Sequence, residues 1–179
     1  MKITLAHWTI LAVSLAAVAL ASFSLTAQDA AAKPDPAAVD RTRDTIKMLD
    51  DVYKTAVVLI TDKYVHSEDD FPAGSAAVAL FAAIEQKGWH TAKLLDVTGQ
   101  PYDAKNVAKD KFDKEAVEKI KAGEKFVEAV ETDKNGKFVL RAMTPVPVVL
   151  EKCVMCHAHY KDVPAGKAIG VISYSVPVR

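Results

Sequence analysis

The chain has 179 residues, of which half are apolar and about a quarter are charged, proportions typical of one soluble globular domain with a single core. Its 23 basic residues balance its 23 acidic residues, and the two signs are interspersed. No net charge therefore favours nucleic acid or an anionic membrane surface, and nucleic acid is excluded as an expected partner.

The first 27 residues predict an export signal. Lys2 is the only charge before Asp29, an apolar run rich in Leu, Ala and Val follows it, and small residues recur towards position 27. This is the layout of a cleaved secretory signal peptide. The run also approaches the roughly 20 residues that span a bilayer, so an uncleaved membrane anchor is the alternative. In both cases we expect the folded part to be exported, to the periplasm if the cell has two membranes.

A linker and a long helix come next. Residues 28–36, QDAAAKPDP, are small, polar and rich in proline, as expected of a linker before a domain at residues 37–179. Asp35 is suited to cap a helix that has Pro36 in its first position. Apolar residues then recur at steps of three and four up to Ile60, which predicts one helix ending at residues 64–67. Its stripe is expected to cover the core, and a homodimer through this helix is the alternative.

The remaining segments predict an α+β fold. SAAVALFAAIEQKG is typical of a helix, TAKLLDVTG of a strand, and KEAVEKIKAG of a short helix capped by Asp113. KFVEAVET and FVLRAMTPVPVV, joined at an Asn135-Gly136 turn, form a predicted hairpin. KAIGVISYSVPV is the last predicted strand. Strands linked in hairpins favour an antiparallel sheet, and we expect the helices on one side of it.

Both cysteines of the chain lie in the segment CVMCHAHY, where His157 directly follows Cys156. A disulfide between Cys153 and Cys156 fits an exported protein, but such close pairs are usually redox centres. A redox dithiol lies at a helix start after a strand of a thioredoxin-like unit, whereas this pair lies between strands of a predicted antiparallel sheet. Zinc needs four ligands, and zinc histidines are usually three to five residues apart. His159 is only two residues from His157, so a zinc site would need a distant histidine.

The same segment matches the attachment sequence of haem c, Cys-x-x-Cys-His. Two thiols add to the two vinyl groups on one edge of the porphyrin, and the two intervening residues set the distance between the sulfurs. The next residue directs its imidazole towards the iron. Export fits this chemistry, because bacteria assemble covalent haem outside the cytoplasm. We therefore expect one covalent haem c, with thioethers from Cys153 and Cys156 and with His157 as the proximal iron ligand.

Two stretches carry a resemblance to a known family. They are GWHTAKLLDVTGQPYDAKNVAKDKF and LRAMTPVPVVLEKCVMCHAHYKDVPAGKAIGVISYSVPV. Over residues 52–178 the chain resembles a bacterial family of exported haem-c domains with a PAS-like fold and no settled physiological role. The resemblance implies a PAS-like antiparallel sheet flanked by helices, and it implies the same thioethers and proximal histidine. Some relatives use a cysteine as the second axial ligand, but this chain has no third cysteine.

A second axial ligand would have to be a histidine, a methionine or a weaker group. The candidates are His66, after the long helix, Met143, in the strand before the cysteines, and His90, at the start of a strand. Arg141 and Tyr102 are suited by residue type to the haem propionates.

The expected function is that of a periplasmic monohaem c-type cytochrome that exchanges single electrons with a redox partner protein. The alternative is a haem-based sensor of redox state or of a small diatomic ligand, which would signal through a separate partner or a dimer. An enzyme is not expected, because the sequence offers no convincing distal acid–base set. The membrane becomes a partner only if the N-terminal segment stays uncleaved.

Overall fold

The computed structural model describes residues 33–67 and 69–179. The predicted signal peptide or anchor, residues 1–27, and residues 28–32 of the predicted linker lie outside the described residues. Within the described ranges, no helix is both long enough and apolar enough to cross a membrane.

The described part of the chain is a mixed α+β structure, as the sequence predicted. Its four strands form one open antiparallel sheet in the order β1-β4-β3-β2. The elements in chain order are α1 Pro36–Tyr64, α2 Ala73–Gln86, β1 Thr91–Asp96, α3 Lys111–Ala122, β2 Val127–Thr132, β3 Phe138–Pro147, α4 Lys152–Cys156, a 3-10 helix Ala158–Asp162 and β4 Ala168–Pro177.

Helix α1 begins and ends where the sequence predicted. The Asp35 carboxylate accepts a hydrogen bond from the Ala37 N–H at 3.1 Å, and Pro36 occupies the first helical position, where its missing N–H costs nothing. The helix presents Val39, Ile46 and Tyr53 to the sheet as its buried stripe. The long N-terminal helix is therefore confirmed as part of the core.

The sheet is covered on both faces, so the prediction of helices on one side is wrong. Helices α1 and α2 pack on the face that carries Leu140 and Ala142. Helix α3 packs on the opposite face, against Met143 and Val171. The physical reason is that β4 is buried at nearly every position, and a strand that is apolar on both sides needs a cover on each.

Helix α3 begins earlier than predicted. Its cap is Asp110, whose carboxylate accepts from the Asp113 N–H at 2.8 Å, and not Asp113 itself. Asp113 lies inside the first turn, and its buried carboxylate accepts hydrogen bonds from Arg141 at 2.9 Å and from Ser173 Oγ at 2.6 Å. Both aspartates suit a helix start by residue type, and both pair with Arg141. Only the burial of Asp113 and its contact with Ser173 distinguish the two.

Candidate haem-attachment site

The cysteine segment forms the connection between β3 and β4 at one end of the sheet. It contains the short helix α4, in which the His157 N–H donates to the Cys153 carbonyl at 3.3 Å. Residues three apart lie on the same side of a helical turn, so Cys153 and Cys156 present their sulfurs in the same general direction. Both are half-buried, and they are not joined in a disulfide. Two accessible thiols on one side of a turn are what a two-thioether attachment requires.

The His157 ring is packed between aromatic side chains. The Tyr160 ring stacks on it with centroids 4.5 Å apart and planes 15° apart, and the Tyr102 ring approaches edge-on at 5.7 Å. Burial lowers the pKa of His157 below its usual range, the neighbouring His159 lowers it further, and Asp96 acts in the opposite direction. The imidazole is therefore neutral at neutral pH, the form that offers a nitrogen lone pair to a metal.

A turn after β1 supports this segment from the side. The Asp96 carboxylate accepts from the Thr98 hydroxyl at 2.7 Å and from the Gly99 N–H at 2.7 Å. Thr98 Oγ1 lies 3.4 Å from His159 Nε2, which links the turn to the 3-10 helix. Gly99 has a φ of 86°, a conformation that favours glycine. The turn therefore holds an acid and a hydroxyl beside the two histidines.

Lys152, the first residue of α4, joins this helix to the end of α1. Because α4 carries both cysteines, it is called the attachment helix below. Its Nζ donates to the carbonyls of Asp62 at 2.7 Å and Val65 at 2.9 Å. These carbonyls belong to the last turn of α1 and its cap residue, where a cation satisfies unpaired acceptors and matches the negative end of the helix dipole. The residue directly before Cys153 therefore fixes the attachment helix against α1.

The structure places the three candidate second ligands very differently. His66 is exposed and directly follows Val65, and its backbone N–H donates to the Asp70 carboxylate at 2.6 Å. It therefore lies in a turn adjoining the Lys152 contact.

Unlike His66, Met143 and His90 lie away from the cysteine segment. Met143 is fully buried beneath α3. The Nε2 atom of His90 lies 2.8 Å from the Tyr53 hydroxyl, and His90 directly precedes Thr91. Thr91 is five residues from Asp96 along β1, about 17 Å at the rise of a strand, so His90 lies towards the opposite end of the sheet.

The two predicted propionate partners also differ. Arg141 donates to three carboxylates, those of Asp113, Asp110 and Glu131, at 2.9 to 3.3 Å. Its guanidinium is thus already paired, and its contacts do not support a propionate role. Tyr102 is exposed and contacts the His157 ring, so its hydroxyl is open to a ligand near the segment.

The described residues around the segment include no zinc ligand set, and several apolar side chains in neighbouring stretches of the chain are exposed. Among the described residues, no group of three or more His, Cys, Asp or Glu side chains is arranged to hold a metal ion, so the zinc hypothesis lacks a ligand set there. Tyr102, which contacts His157, is exposed, and so are Tyr64 and Phe71, near the end of α1, and Val149, just before α4. Two thiols, a neutral imidazole and an uncovered apolar surface together fit the chemistry of haem c.

Sequence reasoning missed Lys152 and Tyr160 as parts of the site. The sequence marks Lys152 only as a charge beside the cysteines, and a solvated side chain explains such a charge equally well. The contact of Tyr160 with His157 could have been predicted from one feature of the sequence. The two residues are three positions apart, a spacing that brings side chains together on a helical turn.

The fold and the site define a small α+β protein with one Cys-x-x-Cys-His segment between its last two strands. The model of the Tll0287-like family, described as Tll0287, matches residues 21–177. Since this range covers most of the chain, the protein belongs to the Tll0287-like family. The matched range begins within the predicted signal segment and ends with the last residue of β4. No curated protein and no solved structure matched the chain.

Proposed function

We propose that this chain is an exported monohaem c-type cytochrome with a PAS-like fold that exchanges single electrons with a partner protein. The observation that carries the proposal is the donor set of the β3–β4 connection: two accessible thiols on one side of α4, followed at once by a neutral imidazole. A bound haem would supply a one-electron iron couple at this site. The antiparallel sheet flanked by helices supports the PAS-like assignment.

Each side chain has a defined part in this proposal. Cys153 and Cys156 hold the group covalently through their sulfurs. His157 offers a ring nitrogen to the iron, and burial keeps that nitrogen unprotonated at neutral pH. Exposed apolar side chains, of which Tyr102 contacts the His157 ring, would shield a bound ring from water. No catalytic step is part of the proposal.

His66 is our proposal for the second axial ligand. Lys152 holds the end of α1 against the attachment helix, and His66 is the next residue after that contact. Met143 would have to leave its core position, at a cost of about 1.5–3 kcal/mol for a fully buried side chain. His90 would have to give up its contact with Tyr53 and cross much of the sheet.

The decisive experiment is production of the mature protein in a host that assembles haem c. The protein should be coloured and should retain haem on a denaturing gel. The double variant Cys153→Ala/Cys156→Ala should lose the covalent haem completely. Met155→Ala, a matched change between the two cysteines, should keep it. Covalent haem in the double variant, or a colourless parent protein, would overturn the proposal.

A haem-based sensor is the second candidate, and the coupling of α1 to the site favours it. Helix α1 exposes Met48, Val52 and Leu59 along its length, and Lys152 fixes its end to the attachment helix. A structural change in the cysteine segment would thus reach α1 through Lys152, and α1 is the helix that could form a homodimer. Light scattering tests this dimer: Val52→Glu/Leu59→Glu should convert a dimer into a monomer, and a monomeric parent would exclude it.

Carbon monoxide separates the two candidates. A carrier whose iron has two protein ligands keeps its reduced spectrum when the gas is added. A gas sensor leaves one position open or weakly closed, and its reduced spectrum shifts at once. A shift in the parent protein would therefore replace the electron-transfer proposal with the sensor.

A further inference from the structure

We infer that Tyr160 is a positioning residue for His157: its ring sets the plane of the imidazole and keeps water from one face of it. This inference rests on the proposed role of His157 as the proximal ligand. It adds a residue to the site that the Cys-x-x-Cys-His sequence does not contain.

The backbone of the 3-10 helix produces the stack. The Tyr160 N–H donates to the His157 carbonyl at 2.8 Å, which closes a turn of three residues. In a 3-10 helix the side chains at positions i and i+3 eclipse each other. The Tyr160 ring therefore lies over the His157 ring, with centroids 4.5 Å apart and planes 15° apart.

Other contacts hold Tyr160 in this place. The His159 ring packs edge-on against it with centroids 4.6 Å apart. Thr98 Oγ1 lies 3.4 Å from His159 Nε2, and Asp96 accepts from Thr98. This chain of contacts connects the stacked pair to the end of β1, so the two rings are fixed to the sheet and not only to their own turn.

The stacked ring is half-buried and lies against one face of the imidazole. An aromatic ring in this place replaces water that would otherwise stabilise the more positive ferric state. The ring, and not its hydroxyl, therefore supplies the effect.

The test compares three variants of the haem-loaded protein. Tyr160→Leu removes the flat ring and should lower the reduction potential and shift the ferric electron-paramagnetic-resonance signal, because the imidazole gains water and rotational freedom. Tyr160→Phe keeps the ring and should match the parent protein in both measurements. Lys161→Ala changes an exposed neighbour in the same 3-10 helix and should also match the parent.

Two further measurements decide the remaining outcomes. If Tyr160→Leu keeps the covalent haem and has the potential and spectrum of the parent, the inference is wrong. If that variant does not fold, proton magnetic resonance of the reduced parent protein decides, because the stack requires cross-peaks between the Tyr160 and His157 rings and their absence contradicts it. A parent protein without covalent haem contradicts the proposed function instead.

Discussion

Replacement of Arg141 by methionine should destabilise the fold strongly and leave the haem spectrum unchanged. The Arg141 side chain is 12% exposed and pairs with Asp113, which is 2% exposed. Removal of the cation leaves the Asp113 charge buried, with the Ser173 hydroxyl as its remaining side-chain donor among the described residues, and breaking such a pair costs about 3–5 kcal/mol. The other two carboxylates, on Asp110 and Glu131, are more than 40% exposed, and exposed pairs contribute roughly 0–1 kcal/mol each. The loss therefore comes mainly from Asp113.

Urea denaturation followed by circular dichroism measures this loss. With a slope of about 2 kcal/mol per molar urea, the midpoint should fall by roughly 2 M. Lys93→Met, a change of an exposed cation on β1, should shift the free energy of unfolding by less than about 0.5 kcal/mol. Arg141→Met/Asp113→Leu should recover part of the loss, because it removes the orphaned charge. A single variant that costs under about 1 kcal/mol, or a double variant no more stable than the single one, would refute the argument.

Three other outcomes are expected. His66→Ala should make the reduced protein bind carbon monoxide while its covalent haem is retained, and an unchanged spectrum under the gas would remove His66 as the second ligand. Lys152→Met should loosen the attachment helix from α1 and increase amide hydrogen exchange at the end of α1, whereas Lys161→Met should not. Equal exchange in both variants would contradict the proposal that the Lys152 hydrogen bonds hold the two helices together. Ionisation of Tyr160 should leave the free energy of unfolding unchanged below about pH 10, the pKa of a tyrosine in the unfolded chain. As the pH rises towards 12, the raised pKa of folded Tyr160, the free energy of unfolding should fall, because the unfolded chain loses the phenol proton first. Urea midpoints between pH 9 and 11.5 should fall less in Tyr160→Phe than in the parent, and equal slopes would contradict this.

Local patterns predicted the elements well where the deciding interactions are local. The Asp35–Pro36 start of α1 depends on a cap two residues away, and the hairpin turn at Gly136 depends on a positive φ of 76°. Both signals are contained within a few neighbouring residues. The cap of α3 was predicted wrongly, because Asp110 and Asp113 both accept from Arg141 and differ in burial and in the contact of Asp113 with Ser173, which lies 60 residues further along the chain.

The candidate site divides in the same way. The Cys-x-x-Cys-His spacing is a local feature, and the prediction of Cys153, Cys156 and His157 as haem-binding residues follows from it without a fold. The sequence did not rank the candidates for the proposed second axial ligand, because His66, His90 and Met143 are all chemically suitable and only burial and position separate them. The hydrogen bonds from Lys152 to the end of α1 join residues about ninety positions apart. A short sequence pattern cannot predict a contact over such a separation.

The sequence by itself determined the three longer helices, the four strands and the mixed α+β class, and it placed two thiols and an imidazole together in the β3–β4 connection. Periodicity, caps and motif spacing act over a few residues, so they are visible in the chain. The tertiary structure decided that the sheet is covered on both faces, that Arg141 pairs with buried Asp113, and that α1 meets the attachment helix. These depend on which distant side chains share a buried environment, because burial sets the cost of an unpaired charge or an uncovered apolar face.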